Sequence, residues 1–139
     1  MTMKRTAIIL TKELTRGPAA NVAAILLGEA ARSLPNLYHA APLLDATGTR
    51  HAAVQWSVVL LEANSPAQLV NFLGTVREQQ PALFVAVFTT TGQGLHNAFA
   101  EYAATIAGKA TADLSPSGVL VSGDDAAVRA ITKKFSVLK

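Results

Sequence analysis

The chain has 139 residues, a formal net charge of +3, 50% apolar and 15% charged side chains, and no cysteine. That length suits one core, in which about two thirds of the unfolded surface leaves water on folding. The composition excludes a disordered chain, a disulfide scaffold, and any cysteine-based metal site or nucleophile.

The run Met1-Thr2-Met3-Lys4-Arg5-Thr6-Ala7-Ile8-Ile9-Leu10 has the basic start of a signal peptide. Its apolar part stops at Thr11-Lys12-Glu13, short of the roughly 7–15 residues such a leader needs. No segment reaches the about 18 uninterrupted apolar residues of a membrane span. A cytoplasmic protein of one domain, residues 1–139, is expected. Ala7 to Leu10 reads as a strand buried on both faces. Thr15 or Gly17 can cap the next element, and Pro18 suits its first turn. Ala19 to Leu34 then reads as an alanine-rich helix with Val22, Ile25, Leu26 and Leu34 toward the sheet, stopped by Pro35-Asn36.

Leu37 to Ala53 is irregular, with a turn at Asp45-Ala46-Thr47-Gly48-Thr49; a hairpin arm and an exposed loop both suit it. Gln55 to Glu62 is the second strand. Asn64-Ser65-Pro66 opens a helix with Leu69, Val70, Leu73 and Val76 inward. Leu83 to Phe88 is the third strand, followed by the polar loop Thr89-Thr90-Thr91-Gly92-Gln93-Gly94. A helix is expected over Leu95 to Ala107, a fourth strand over Ser117 to Ser122, and a short helix after Gly123-Asp124-Asp125, before Phe135 to Leu138 ends the chain. Strands alternating with helices predict an α/β sheet with parallel pairs and helices on both faces.

In open α/β sheets, ligands bind where strand ends feed helix N-termini. Leu14 to Asn21, Thr89 to Gln93, and Gly123 to Asp125 are the three such places. Thr89, Thr90, Thr91 and Gln93 offer three hydroxyls and a carboxamide for an anionic or carbonyl-bearing ligand, with His96 beside them. The same residues are ordinary caps and turns. The loop is neither a phosphate-binding P-loop nor a dinucleotide fingerprint. Asp45 and His51 meet if the turn closes as a hairpin, which would orient the imidazole for general-base work or merely make a surface pair. His39, His51 and His96 lack metal-ligand spacing, so no metal or cofactor is implied. No serine lies in a Gly-x-Ser-x-Gly elbow, and Asp124-Asp125 read as helix caps. The basic residues are scattered, with Lys4-Arg5 and Lys133-Lys134 the adjacent pairs, and these form one patch only if the chain ends meet.

The order of the pieces resembles a known family. Lys4 to Leu10 followed by Gly17-Pro18-Ala19-Ala20-Asn21-Val22-Ala23 is similar to the first strand and helix of the peptidyl-tRNA hydrolase II enzymes, whose helix opens Gly-Lys-hydrophobic-Ala-Ala-Gln-Val-Ala-His. Asn64 to Phe88 resembles that family's strap helix and next strand, and Val119-Leu120-Val121-Ser122-Gly123 through Lys133 its last strand and helix. The likeness is closer still to a bacterial family of unknown function with this fold, in which Asn-Val-Ala on the first helix, an Asp-x-x-Gly turn and a Lys133-Lys134-Phe135 ending recur.

The resemblance implies a three-layer α/β/α domain with a four-stranded mixed sheet, often dimeric, that in the hydrolases cleaves the ester linking peptide to tRNA. Its catalytic set includes a lysine opening the first helix and, after the third strand, an aspartate followed by Arg-Thr-Gln. Carried over, the lysine falls on Gly17, the glutamine on Asn21, the helix histidine on Ala24, and the aspartate near Thr89 or Thr90. A non-hydrolase that binds a small ligand or a protein at the Asn21 and Thr89-to-Gln93 face is therefore expected, with a homodimer compatible. The alternative is a diverged hydrolase acting on peptidyl-tRNA or a related ester, the one reading in which tRNA is a partner.

Overall fold

The computed structural model describes residues 3–139; Met1 and Thr2, the first residues of the basic N-terminal run, lie outside them. In chain order the elements are β1 (Lys4–Thr11), α1 (Arg16–Ser33), β2 (Leu43–Leu44), β3 (Arg50–His51), β4 (Ser57–Ala63), α2 (Pro66–Gln79), β5 (Phe84–Thr89), α3 (Thr90–Gln93), α4 (Phe99–Ala107), β6 (Pro116–Asp124), α5 (Asp125–Ile131) and β7 (Ser136–Val137), with a 3₁₀ turn at Thr111–Leu114 before β6.

The main sheet is mixed, in the order β5-β6-β1-β4-β7. β1 and β4 are parallel, and the other pairs are antiparallel. β1 from Thr6 and β6 as far as Ser122 are buried throughout, around the apolar runs Ala7–Leu10 and Val119–Val121. Alternation divides their side chains between two cores. Ile8, Leu10 and Leu120 face α1, which meets them with Ala19, Val22, Leu26 and Ala30. Ala7, Ile9, Val119 and Val121 face α2 and α5, through Leu69, Phe72, Leu73 and Val76, then Val128 and Ile131. Ser65 caps α2 by accepting from the Gln68 amide at 3.2 Å, and the Gln68 side chain accepts from the Asn64 amide at 2.7 Å.

Several expectations shift. The sheet has five strands rather than four, because Ser136–Val137 pairs with Leu61 and Glu62 on the outer edge of β4. α1 buries the series Val22, Leu26, Ala30, so Ile25 turns outward, 42% exposed. On α2, Phe72 takes the deep position and Val70 is half-buried. The expected helix from Leu95 begins only at Phe99, because His96 and Asn97 adopt left-handed φ of 44° and 67° and break it. Four residues of the expected polar loop, Thr90–Gln93, are instead helical, with Thr89 as their cap. Of the two readings of Leu37 to Ala53, the hairpin arm forms, with β2 and β3 antiparallel and every residue from 39 to 52 exposed.

Gly118 sets the spacing between α1 and the sheet. A Cβ there would stand 2.8 Å from Leu10 Cδ2 and 2.9 Å from Val22 Cγ1. Gly118→Val is expected to cost about 1–3 kcal/mol through overpacking, read as a lower urea midpoint at unchanged slope. A midpoint equal to that of the parent would show that the layers are not in contact there.

Candidate functional site

β6 is antiparallel to both β1 and β5, so the C-terminal ends of β1, β4 and β5 share one end of the sheet with the starts of α1 and β6. Gly17 and Asn21 stand exposed on the first turns of α1, at the same end as Thr89 to Gln93. Gly123 to Asp125 does not join them. That segment ends a strand running the other way, so it lies at the opposite end, where Asp124 caps α5 by accepting from the Ala127 amide at 3.2 Å.

The Thr89–Gln93 segment is closely tied to its neighbours. Buried Thr89 accepts from the Gly92 amide at 3.3 Å, and Gly92 has no room for a Cβ against Phe88. The Thr90 amide and hydroxyl both donate to the Ser115 carbonyl, at 3.1 and 3.2 Å. The buried Ser117 hydroxyl donates to the Gln93 carboxamide oxygen. Thr89, Thr90 and Gln93 are thus brought together, largely by bonds among themselves and with the start of β6. Thr91 is half-buried and His96 exposed, and among the described residues no hydrogen bond joins Gly17, Asn21 or His96 to the group. The start of α1 is different in kind. Thr15 occupies the cap position without a side-chain hydrogen bond, the first turn carries no acid, and Arg16 is its first residue. Helix N–H groups left this way carry partial positive charge.

With the hairpin arm closed, Asp45 and His51 meet. His51 Nε2–H donates to Asp45 Oδ2 at 2.8 Å, while Oδ1 accepts from the Thr47 amide (2.9 Å), the Thr47 hydroxyl (2.7 Å) and the Thr49 amide (3.1 Å). The imidazole bond, followed by those from Thr47 and Thr49, holds the Asp45 carboxyl well below the usual carboxylate range. The carboxylate closes the turn of the arm, and the pair is open to water rather than set in a cleft. His39 is used locally, accepting from the Ala41 amide at 3.2 Å. No metal-holding cluster of His, Asp and Glu occurs among the described residues. The two basic pairs do not form one patch: Arg5 is level with Ser57 at the start of β4, whereas Lys133-Lys134 precede β7, which pairs near the end of β4. Lys134 instead lies over the Phe72 and Phe135 rings, 5.8 and 5.3 Å from their centres.

A cavity of about 240 Å³ opens at the other end of the sheet, where α1 ends, and no sequence motif marks it. Lys4, Leu37, Trp56, Phe84 and Ser122 are among its lining residues, from segments far apart in the chain. The only local signal is the lone tryptophan before β4.

A mixed sheet between helical layers, with hydroxyls, amides and an uncapped helix start at one end and an apolar cavity at the other, defines an α/β protein whose two sheet ends differ in chemistry. The chain belongs to the family described as Protein of unknown function (DUF2000), whose model matches residues 4–139. Among solved structures it is similar to a protein of unknown function from Agrobacterium tumefaciens strain C58, with a TM-score of 0.83, 16% identity and 100% of each chain covered. At that identity the likeness shows the fold. No curated protein matches. Among the described residues no helix is long and apolar enough to cross a membrane.

The depressed Asp45 carboxyl gives an acid-side dependence. Its stabilising bonds are present above the unfolded value of about 3.9 and are lost as pH falls through the lower folded value. In a carbon-detected NMR titration, His51→Gln is expected to move the Asp45 midpoint upward. An unmoved midpoint would show that the Thr47 and Thr49 bonds alone depress it.

Proposed function

We propose that the chain is a non-hydrolytic binding protein on a peptidyl-tRNA hydrolase II-like fold, holding a small anionic ligand at the start of α1 beside Thr91, Gln93 and His96. The observation that carries this reading is the opening of α1, with no side-chain cap, no acid in its first turn, and Arg16 at its head. Such an end attracts negative charge through its free N–H groups and its dipole. Against hydrolysis stands the chemistry of the positions where the resembled family carries its catalytic groups. Gly17, Asn21, Ala24 and Thr89 have no side chain that takes up a proton near neutrality, and ester cleavage needs a group to steer water and a positive group for the oxyanion. The same fold can serve another ligand, since function lies in the site.

The reading also takes the protein as cytoplasmic and as a homodimer, with the arm as the surface a second copy covers. Leu43 and Leu44 are 51% and 55% exposed on a two-strand ladder, and an isolated hairpin of that kind is marginal in water.

Purified protein is expected to leave peptidyl-tRNA intact over a time course in which a hydrolase control consumes it, and to show saturable amide shifts at Gly17 and Asn21 with inorganic phosphate. Ester cleavage lost on Asn21→Ala or Thr91→Val would establish the hydrolase reading instead. For the arm, solution scattering across a concentration series is expected to give the mass of two chains, falling to one for Leu44→Asp. A parent monomer throughout would remove the dimer.

A further inference from the structure

The cavity at the C-terminal end of α1 carries an inference independent of the reading above, since it lies at the far end of the sheet. Lys4 and Thr6 of β1, Ser122 of β6 and Phe84 of β5 share the sheet face covered by α1, by the alternation that also places Ile8 and Leu120 there. At this end α1 has stopped, so the chain from Leu34 to Leu37 turns across the sheet instead of filling the space, and Trp56 approaches from the foot of β4. The Trp56 N–H is enclosed by the protein, so the indole offers a ligand ring surface and nothing more. With Leu34, Leu37 and Phe84 it makes the lining largely apolar and in part aromatic.

The charges around this space oppose one another. α1 ends here with Leu34 as its C-cap, and a helix end of this kind carries partial negative charge. The Ala31 carbonyl would take its helical bond from the amide of residue 35, but Pro35 has no N–H to give, so that carbonyl is left over. Lys4 places an ammonium at the mouth, and the carboxylate opposite it in the β1–β6 ladder, Asp124, is engaged in capping α5. Among the described residues no Asp or Glu lines the cavity. An anion would meet the negative helix end, and a cation would meet Lys4. Either would also lose hydration against the apolar lining, so an uncharged ligand fits best.

One donor faces such a ligand. Thr6 and Ser122 share a buried bond of 2.8 Å, and two hydroxyls joined by one bond leave one O–H over. Of the two, Ser122 lines the cavity while being 5% exposed, so with Thr6 donating to it the Ser122 O–H is the group that calls for an acceptor. At about 240 Å³ the cavity lies below the roughly 300–1,000 Å³ of sites for drug-sized ligands. We infer that this cavity is a binding site for a small uncharged aromatic carboxamide, its carbonyl accepting from Ser122, its N–H groups toward the end of α1, and its ring against Leu37, Trp56 and Phe84.

Benzamide, benzoate and benzamidine share one shape and differ in charge, and Trp56 is the sole tryptophan, so its emission reports the occupancy of the cavity by each. Full-length protein is expected to give a saturable change in emission with benzamide and about tenfold weaker binding of both the anion and the cation. Lys4→Gln, at an exposed position, leaves the helix end unopposed and is expected to tighten benzamidine and weaken benzoate. Ser122→Ala is expected to weaken benzamide several-fold while toluene, which has no acceptor, binds as it does to the parent; the toluene arm shows that the cavity persists in the variant. Saturating inorganic phosphate is expected to leave the benzamide titration unchanged, because the two ends of α1 are separate. No saturation up to millimolar benzamide, benzoate or benzamidine binding as tightly as the amide, undiminished benzamide binding by a Ser122→Ala protein that still takes toluene, or displacement of benzamide by phosphate would each overturn the assignment.

Discussion

β1 and β6 lie side by side near the middle of the sheet, with Thr6–Thr11 and Pro116–Ser122 withdrawn from water on both faces. A strand pair of that kind needs a helical layer above and another below, because each face exposes branched apolar side chains at every second residue. The two cores follow from it: α1 closes one face, and α2 with α5 the other. The pair also admits one polar contact on its α1 face, the buried Thr6–Ser122 bond, and two hydroxyls sharing a bond are tolerable in such a place where loners are not. The edges are less constrained, and on one of them β7 contributes only two exposed residues.

The close fit of α1 is the second consequence. Alanines at Ala19 and Ala30 and the absence of a side chain at Gly118 let the helix approach the sheet, so its 18 residues run about 27 Å, the full span from one end of the strands to the other. One helix thereby presents its uncapped start at the C-terminal ends of the parallel strands and its stop beside Trp56. The two ends differ chemically because the helix dipole differs in sign there, and because the local side chains differ: Arg16 and hydroxyls at one, an indole and an ammonium at the other.

What was legible in the sequence was local. The apolar runs Ala7–Leu10 in β1 and Val119–Val121 in β6 announce burial on both faces; Ser65-Pro66 announces the start of α2; Asp45 and His51 flank a turn that brings them together once the arm closes as a hairpin, one of the two readings the residues allow. What was hidden depended on direction or on distance. Gly123-Asp124-Asp125 looks like any strand-to-helix junction, and only the antiparallel course of β6 puts it at the wrong end. The break at His96-Asn97 contains neither glycine nor proline, and the tolerance of asparagine and histidine for left-handed φ is too weak a mark to end a helix on its own. The fifth strand is two residues long and gains its order from β4, not from its own pattern. The cavity joins five segments, and no window of sequence contains it.

The satisfaction of polar groups separates the two ends further. Around Thr89 to Gln93 the hydroxyls and the carboxamide largely answer one another, each bond contributing about 0.5–1.5 kcal/mol, so these residues hold the crossing from β5 to α3 in shape whatever binds beside them. Replacing any of them would disturb the fold and the ligand face together. Around Trp56 the balance is reversed. A buried N–H without an acceptor costs about 1–3 kcal/mol, and a folded chain rarely keeps one where an apolar ring of similar shape would pack as well. The indole N–H is enclosed there without an acceptor among the described residues, a cost that a phenylalanine at this position would not carry. By this criterion the end of α1 that the sequence left unmarked is the one whose chemistry is least accounted for by structure alone.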